Sequence, residues 1–183
     1  MEISEKMFSI TQEKQEQEKA RKTRRGKENI KNPWVREAIY YWSSRVPESD
    51  LGVDWVDAHI YCWRCGTASG FQRCHIVPRS LGGTDGPENT ICLCPRCHDQ
   101  APDVADPEFM WKWVKETHAE IYDLFWHLRA VKEAVAFGAD LSEIDWDKYS
   151  QNIKKVSPHL GQGMGGQWVA DSSIAWALLK ACD

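Results

Sequence analysis

The sequence predicts an α+β fold in which a short core of two strands, held together by paired cysteines, is flanked by helices. Three observations support this prediction: two Cys-x-x-Cys pairs frame the middle of the chain, strand-like segments lie between them, and apolar residues recur with helical periodicity on both sides. The expected organisation is a charged, partly basic arm (1–32), a helix with a lead-in segment (33–60), the core (61–103) and a Trp-rich helical region (104–183).

The composition is that of an ordinary globular protein, with 42% hydrophobic and 27% charged residues in a chain of 183. We expect no membrane span because no run of about 18 apolar residues occurs. The polar N-terminus does not resemble a secretory signal, so we expect a cytoplasmic protein with reduced thiols. The seven cysteines therefore need an explanation other than disulfides.

Charge is distributed unevenly along the chain. Residues 1–36 have a net charge of +4, residues 37–60 of −4, residues 61–100 of +1 and residues 101–183 of −5. The basic end of the arm, residues 19–27, fits either a solubilising tail or an arm that follows DNA phosphates and releases their counterions.

The first half of the chain shows one helix and two strands. Asn32-Pro33 is a typical helix start, and aromatic and aliphatic residues follow at helical spacing up to Ser43. The pattern then predicts an extended lead-in at 53–61, a first hairpin strand at 70–79, a loop beginning at Gly82-Gly83 and a second strand at 89–93.

The second half reads as helical. Asp106-Pro107 starts a helix that runs to about residue 137, which is long enough to bend or split near Thr117. We expect a short helical turn within 141–150, a flexible glycine-rich loop and a docking helix over 172–182. The expected buried face of the long helix consists of Trp111, Val114, Ile121, Leu124, Phe125 and Leu128. The loop glycines are Gly161, Gly163, Gly165 and Gly166.

The cysteine spacing predicts a structural zinc site. Cys62 and Cys65 form one Cys-x-x-Cys pair, and Cys94 and Cys97 form the other. Each two-residue spacer lets a tight turn present two thiolates, and two such turns complete a tetrahedron around one Zn²⁺. A closed four-cysteine site leaves no open coordination position, so this zinc supports folding. Cys92 alternates with apolar neighbours and is expected in the core.

A series of short motifs lies between and just after the cysteine pairs. Cys74-His75-Ile76-Val77-Pro78-Arg79 precedes the Gly82-Gly83 pair, Glu88-Asn89 follows, and His98 comes directly after the second cysteine pair. In this order the motifs resemble the HNH endonuclease family, in its branch with two Cys-x-x-Cys pairs. The match covers about 40 residues, and the complete series is far more specific than one histidine alone.

The resemblance implies a ββα-metal fold that hydrolyses DNA phosphodiesters and leaves a 5′ phosphate and a 3′ hydroxyl. His75 corresponds to the general base, Asn89 to the residue that braces the hairpin and orients the histidine, and His98 to a ligand of a second, catalytic divalent ion (Mg²⁺, Mn²⁺, Ni²⁺ or Zn²⁺). Other readings of the same residues are a strand histidine at 75, a turn residue at 89, and a cap or zinc helper at 98.

Position 74 departs from the family pattern, in which Asp or His often helps to bind the catalytic ion. Here the residue is Cys74, and a thiolate is a soft ligand that magnesium disfavours. Three alternatives stay open: Cys74 turns away from the ion, it binds a softer ion, or the site is catalytically weak. Asp99 and Asp103 are candidate substitute carboxylates.

Arg73, Arg79 and Arg96 lie beside these motifs and are candidates for contacts to DNA phosphates, although solvated surface charge is the alternative. The leading hypothesis is therefore a DNA endonuclease. A zinc-stabilised nucleic-acid- or partner-binding module that has lost catalysis through Cys74 is the alternative, and a ribonuclease is a third reading. The sequence leaves specificity, protein partners and oligomeric state open.

Overall fold

A computed structural model describes residues 16–17, 19–24, 26–68, 70–122, 124–156, 159–160 and 167–182. The elements agree with the predicted α+β class. They are α1 (Pro33–Trp42), β1 (Gln72–His75), β2 (Thr90–Leu93), α2 (Pro95–His98), α3 (Pro107–Thr117), α4 (Phe125–Ala136), α5 (Trp146–Ile153), β3 (His159–Leu160), β4 (Gln167–Trp168) and α6 (Asp171–Cys182).

The segment before α1 is helical at residues 19–24 and 26–29. Helix α1 then starts at the predicted proline, because Pro33 has no N–H to leave unpaired in the first turn. Its Trp42 donates from Nε1 to the carbonyl of Thr90 across 2.9 Å. This hydrogen bond connects α1 to the first residue of strand β2.

The expected extended lead-in at 53–61 is wrong over most of its length. Residues 55–60 form successive turns, with backbone bonds from Asp57 N to Asp54 O (2.9 Å) and from Ile60 N to Asp57 O (2.8 Å). Aspartate favours turns because its short side chain competes for nearby backbone N–H groups. Only Tyr61 makes a β-bridge here, with Ala68.

Strands β1 and β2 form the predicted antiparallel hairpin, with Arg73 opposite Cys92, Cys74 opposite Ile91 and His75 opposite Thr90. The first strand is shorter than expected and ends at His75. Pro78 cannot donate to a ladder, and a 3₁₀ turn over Arg79–Leu81 follows, closed by Gly82 at φ +91°. A second 3₁₀ turn, Pro87–Asn89, leads into β2, and α2 begins at the second cysteine pair.

The long C-terminal helix splits as predicted, into α3 and α4, with a break at 118–124. The predicted buried face is only partly correct. Val114 is fully buried, whereas Ile121, Leu124 and Leu128 are 43–54% exposed, and the first two of these lie in the break between α3 and α4. The residues of α4 that are buried are Trp126, Ala130 and Ala134.

Two apolar clusters hold the described part of the chain together. The first lies around the cysteines, the hairpin, α1 and α3, and includes the fully buried Trp63, Ile91 and Met110. The second lies between α4, α5 and α6 and is centred on small and aliphatic residues such as Ala130, Ala175 and Leu178. The glycine loop expected at 161–166 lies outside the described residues. None of the described helices combines the length and the apolar character that a membrane crossing requires.

Candidate active site and metal centre

Four cysteine sulfurs converge in the first apolar cluster. Cys62, Cys65, Cys94 and Cys97 are all buried, and their Sγ atoms lie within 4.8 Å of one another. The turn formed by Cys62 and Cys65 is closed by a hydrogen bond from Gly66 N to Cys62 O (3.0 Å). Gly66 has φ +61°, a conformation that glycine adopts without strain. The second pair flanks the first turn of α2.

The surroundings of the sulfurs fit a bound metal ion. Cys94 N donates to Cys62 Sγ (3.3 Å) and Cys97 N donates to Cys94 Sγ (3.4 Å), so backbone N–H groups already face sulfur. Hydrogen bonds from the other three cysteines lower the pKa of the Cys65 thiol, whereas burial raises the pKa of Cys62 and Cys97. The cluster therefore favours at least one thiolate, and four soft ligands in this arrangement can hold one tetrahedral ion.

A buried arginine lies against this cluster. Arg64 is 3% exposed, and its Nη1 lies 3.6 Å from Cys97 Sγ and 3.0 Å from Gln100 Oε1. Its Nε donates to Thr117 Oγ1 across 2.8 Å, and its guanidinium carbon lies 4.2 Å from the ring centroid of Trp113. One cation thus joins the cysteine cluster to helix α3. Sequence analysis did not single out Arg64, because neither its burial nor its partners follow from the Cys-x-x-Cys spacing.

His75 lies at the end of β1 and one of its ring nitrogens is engaged. Its Nε2 lies 2.8 Å from Oδ1 of Asp85. Asp85 also accepts from Arg79 Nε (2.6 Å) and pairs with Arg79 Nη2. These hydrogen bonds, that of Arg79 first and that of His75 second, lower the pKa of the Asp85 carboxyl. Because an ionised Asp85 can only accept a hydrogen bond, a neutral His75 ring that donates to it carries its proton on Nε2 and its lone pair on Nδ1.

Asn89 braces the loop between the two strands. Its Oδ1 accepts from Val77 N (2.8 Å), and its Nδ2 donates to the carbonyls of Val77 and Thr84 (both 2.9 Å). The residue is 7% exposed, so each of these bonds is protected from water. The side chain fastens the turn after His75 to the segment that carries Asp85.

Cys74 points into the protein interior. It is 3% exposed and belongs to the first apolar cluster, and burial, with a smaller effect of the Asp103 charge, raises the pKa of its thiol to about 12. A neutral, buried thiol is a poor ligand for a divalent ion. The environment favours the alternative in which Cys74 turns away, and it places the carboxylate of Asp103 near this strand position.

His98 is the last residue of α2, which packs against both strands of the hairpin. Its backbone N bonds to the carbonyl of Cys94 (2.9 Å), and the imidazole is half-buried. Among the described residues, the four cysteines are the only group of three or more His, Cys, Asp or Glu whose ligand atoms converge. An ion at His98 would therefore complete its coordination with water or a phosphate.

The three candidate arginines have different environments. Arg79 pairs with Asp85 and is 62% exposed, and the guanidinium of Arg73 lies 5.4 Å from the ring centroid of Trp34. Arg96 is 12% exposed, pairs with Asp171 and stacks 3.5 Å from the Trp126 ring centroid. Arg96 therefore lies between the second cysteine pair, α4 and α6, where Asp171 at the start of α6 supplies an internal partner.

Asp85 was absent from the sequence-based candidates. It follows the Gly-Gly pair in a loop rich in turn residues, and its separation of ten residues from His75 does not indicate a contact. The only available signal is an acidic residue in the loop that joins the two strands.

The comparison with known families agrees with this geometry. Residues 60–103 match the family model described as HNH endonuclease, which confirms the resemblance over the core, about a quarter of the chain. No curated protein matches the chain significantly, and no solved structure does either.

Proposed function

Because residues 60–103 match the HNH endonuclease family, we propose that this protein is a metal-dependent endonuclease that hydrolyses DNA phosphodiester bonds. One observation carries the proposal. His75 is held through Nε2 by an ionised carboxylate, on a hairpin braced by Asn89, so that Nδ1 is the nitrogen available for a proton. A neutral imidazole with one engaged nitrogen is suited to general-base catalysis near neutral pH.

In the proposed reaction, His75 Nδ1 accepts a proton from water as the water oxygen attacks the phosphorus. The bond between phosphorus and the 3′ oxygen breaks, giving a 5′ phosphate and a 3′ hydroxyl, the latter after it takes up a proton. Asp85 faces the opposite nitrogen and stabilises the imidazolium that forms, while Asn89 keeps the loop between them in place.

His98 is the proposed protein ligand of a second divalent ion. When bound, such an ion polarises the phosphate and stabilises the charge of the leaving oxygen. Hard ions such as Mg²⁺ keep several waters and need few protein ligands, which suits a site without a preassembled three-residue cluster. The buried Cys74 is not part of this proposal, and Asp99 and Asp103 stay the candidate carboxylates.

The four-cysteine cluster is the proposed structural zinc site. Its ligands are buried and closed, so it would contribute to folding and not to chemistry. For phosphate contacts we propose Arg79 and Arg73, and not Arg96, whose guanidinium is engaged by Asp171 and Trp126.

A catalytically inactive, zinc-stabilised binding module is the second candidate function. Two observations favour it: the residue before His75 is a buried thiol, and within the described ranges neither His75 nor His98 belongs to a group of three or more metal-ligating side chains. Residues 19–31, which are rich in Lys and Arg, would still give such a module affinity for nucleic acid.

One assay separates the two functions. Purified protein is incubated with supercoiled plasmid and with Mg²⁺, Mn²⁺, Ni²⁺ or Zn²⁺ in turn, beside His75→Ala. The nuclease proposal expects nicking by the native protein with at least one ion and about 100-fold less by the variant. Intact plasmid with every ion, together with a gel shift, would establish the binding module instead. A parallel reaction with single-stranded RNA tests the ribonuclease reading.

A further inference from the structure

The chain carries its largest concentration of positive charge just before α1. Residues 19–31, here called the basic segment, contain seven Lys and Arg and one Glu, although the whole chain has a net charge of −4. Sequence alone leaves two readings of this segment, a solubilising tail or an arm that contacts DNA. The structure distinguishes them by showing whether the segment is attached to the core.

Three residues of the basic segment are seated on the core. Asn29 is 6% exposed and donates from Nδ2 to the carbonyl of His59 across 3.0 Å. Gly26 is buried, and a Cβ at this position would lie 2.8 Å from Cγ1 of Ile60. Lys22 places its Nζ 5.6 Å from the ring centroid of Tyr61.

Positions 22, 26 and 29 have the spacing of one face of a helix, and residues 19–24 and 26–29 are helical. The seat itself, residues 59–61, directly precedes Cys62 of the metal cluster. A solubilising tail has no need of a glycine at a close contact or of a buried asparagine. The basic segment is therefore a fixed part of the core surface, at the edge of the proposed zinc site.

Several charged side chains of the basic segment are exposed to solvent. Lys19, Arg24 and Lys27 are exposed, and the ion pair of Arg24 with Glu28 is 3.8 Å long between side chains that are at least 63% exposed. Residues 37–60 and 101–183 carry a net negative charge. A polyanion is therefore attracted to the basic segment in preference to those parts of the chain.

We infer that the exposed side chains Lys19, Arg24 and Lys27 of the basic segment bind the phosphate backbone of duplex DNA at a fixed position relative to the nuclease core. The inference rests on the proposed function for the identity of the polyanion. It adds a surface outside the region that matches the family model, and it assigns that surface to backbone contacts without base readout.

The first experiment measures the affinity of the full-length chain for a 30-base-pair duplex as a function of salt, by fluorescence anisotropy, in a His75→Ala background that prevents cleavage. The variant Lys19→Gln/Arg24→Gln/Lys27→Gln is compared with a matched control, Lys112→Gln/Lys132→Gln/Lys154→Gln, which removes three exposed lysines elsewhere. The expected change in the slope of log K against log salt is about 2.7 for three lost phosphate contacts, so the difference in affinity between the variant and its parent widens as salt is lowered.

The second experiment tests the fixed placement with all charges kept. Gly26→Leu/Asn29→Ala should disturb the contact with residues 59–61. It should not disrupt the helix, because leucine favours a helix more than glycine does. We expect this variant to bind duplex DNA at least about threefold more weakly than its parent, because a displaced segment loses its alignment with the core. An unchanged affinity would show that the segment acts as an unattached tail and would overturn the inference.

Two further results would also overturn the inference. One is an unchanged slope of log K against log salt in the basic-segment variant. The other is an equal loss of affinity in the triple-lysine control, which would show that net charge alone causes the effect. These results are separate from the plasmid assay. Nicking with an unchanged slope would refute this surface and leave the nuclease intact, whereas a reduced slope without nicking would support the surface and refute the nuclease.

Discussion

At position 75, the two nitrogens of one imidazole have different surroundings. Nε2 faces Asp85, which is shared with Arg79, and Nδ1 has no hydrogen bond to the described residues. The carboxylate selects the tautomer with a proton on Nε2, because an ionised Asp can only accept. Asp85 is thus a positioning residue for His75, and its effect is visible in the ring itself as well as in the rate.

The first prediction concerns the tautomer of His75. Asp85→Ala removes the acceptor, so we expect the ring ¹⁵N shifts of His75 to change from the Nε2–H form to a mixture, and nicking to fall about tenfold or more. Asp85→Asn keeps an acceptor oxygen and should preserve the tautomer better. The control is Glu88→Gln, which lies in the same loop and bonds to Thr84. An Nδ1–H form in the native protein would refute the role of Asp85.

The second prediction separates Cys74 from the metal chemistry. Cys74→Ala should retain nicking within about threefold and cost about 1 kcal/mol of unfolding free energy, because it removes one buried sulfur. Cys74→Asp, which introduces a residue common at this family position, should unfold the core, because a carboxylate at a 3% exposed site lacks solvent. Urea denaturation and plasmid nicking measure both. A loss of about 30-fold or more in a folded Cys74→Ala protein would make Cys74 a ligand.

Residue roles were only partly predictable. The sequence identified the four cysteines because their spacing has a direct geometric meaning, and the structure brings those sulfurs together. Asp85 and Arg64 were not predictable, because each acts through a partner distant in sequence. The buried state of Cys74 follows from strand alternation, but the resemblance directed attention to its chemistry instead.

Among the elements, the loop from Ile76 to Asn89 determines how the site is held. Ile76 N bonds to Asn89 O (2.9 Å), and Asn89 closes the loop with three side-chain bonds. Gly83 passes so close to the carbonyl of Val77 that a Cβ there would overlap it. These contacts hold the loop in the arrangement in which Asp85, itself paired with Arg79, contacts His75.

The third prediction tests this brace. Asn89→Ala leaves the part-buried N–H and C=O of Val77 without their side-chain partner and should lower the unfolding free energy by about 2–3 kcal/mol. Asn89→Asp is the matched variant: it can still accept from Val77 N but cannot donate to the carbonyls of Val77 and Thr84, so it should be nearly as damaging. Thermal unfolding measures the loss. A stability unchanged in both variants would show that the loop is held in another way.

Helix predictions succeeded where the ends had clear chemical signals. Pro33 and Asp106 mark starts that the structure reproduces, and Asp106 caps its helix by accepting from Phe109 N (3.0 Å). The prediction of the buried face over 107–137 was only partly correct, because it assumed one continuous helical periodicity across the break at 118–124. Where that break falls depends on packing against α6, which periodicity does not report.

Across the whole molecule, one buried cation joins the metal cluster to the C-terminal helices. Arg64 contacts the sulfur of Cys97, the hydroxyl of Thr117 and the ring of Trp113. If the four cysteines bind a metal as thiolates, the Arg64 charge would offset part of the negative charge that they bring into the interior. The sequence predicted helices around a small core, but not that the cluster itself would hold them.

The fourth prediction follows from this coupling. Arg64→Met should lower the unfolding free energy by about 3 kcal/mol and accelerate zinc transfer to a chromophoric chelator, because Cys97 and Gln100 lose a buried donor. Arg64→Lys should rescue only part of the effect, since lysine cannot reach several partners at once. Arg36→Met, at an exposed position, is the control. Equal zinc-release rates in native protein and Arg64→Met would show that Arg64 packs without supporting the metal.

We propose that the protein has two separate centres, a closed four-cysteine site for zinc and an open site near His75 at which His98 holds a catalytic ion. The most direct test titrates Mn²⁺ into zinc-loaded protein with a short duplex, in the His75→Ala background, and counts bound Mn²⁺ by electron paramagnetic resonance. We predict one Mn²⁺ per chain, bound about tenfold or more weakly after His98→Ala, with zinc still at one per chain. Mn²⁺ binding that does not depend on His98, or none at all, would contradict the claim.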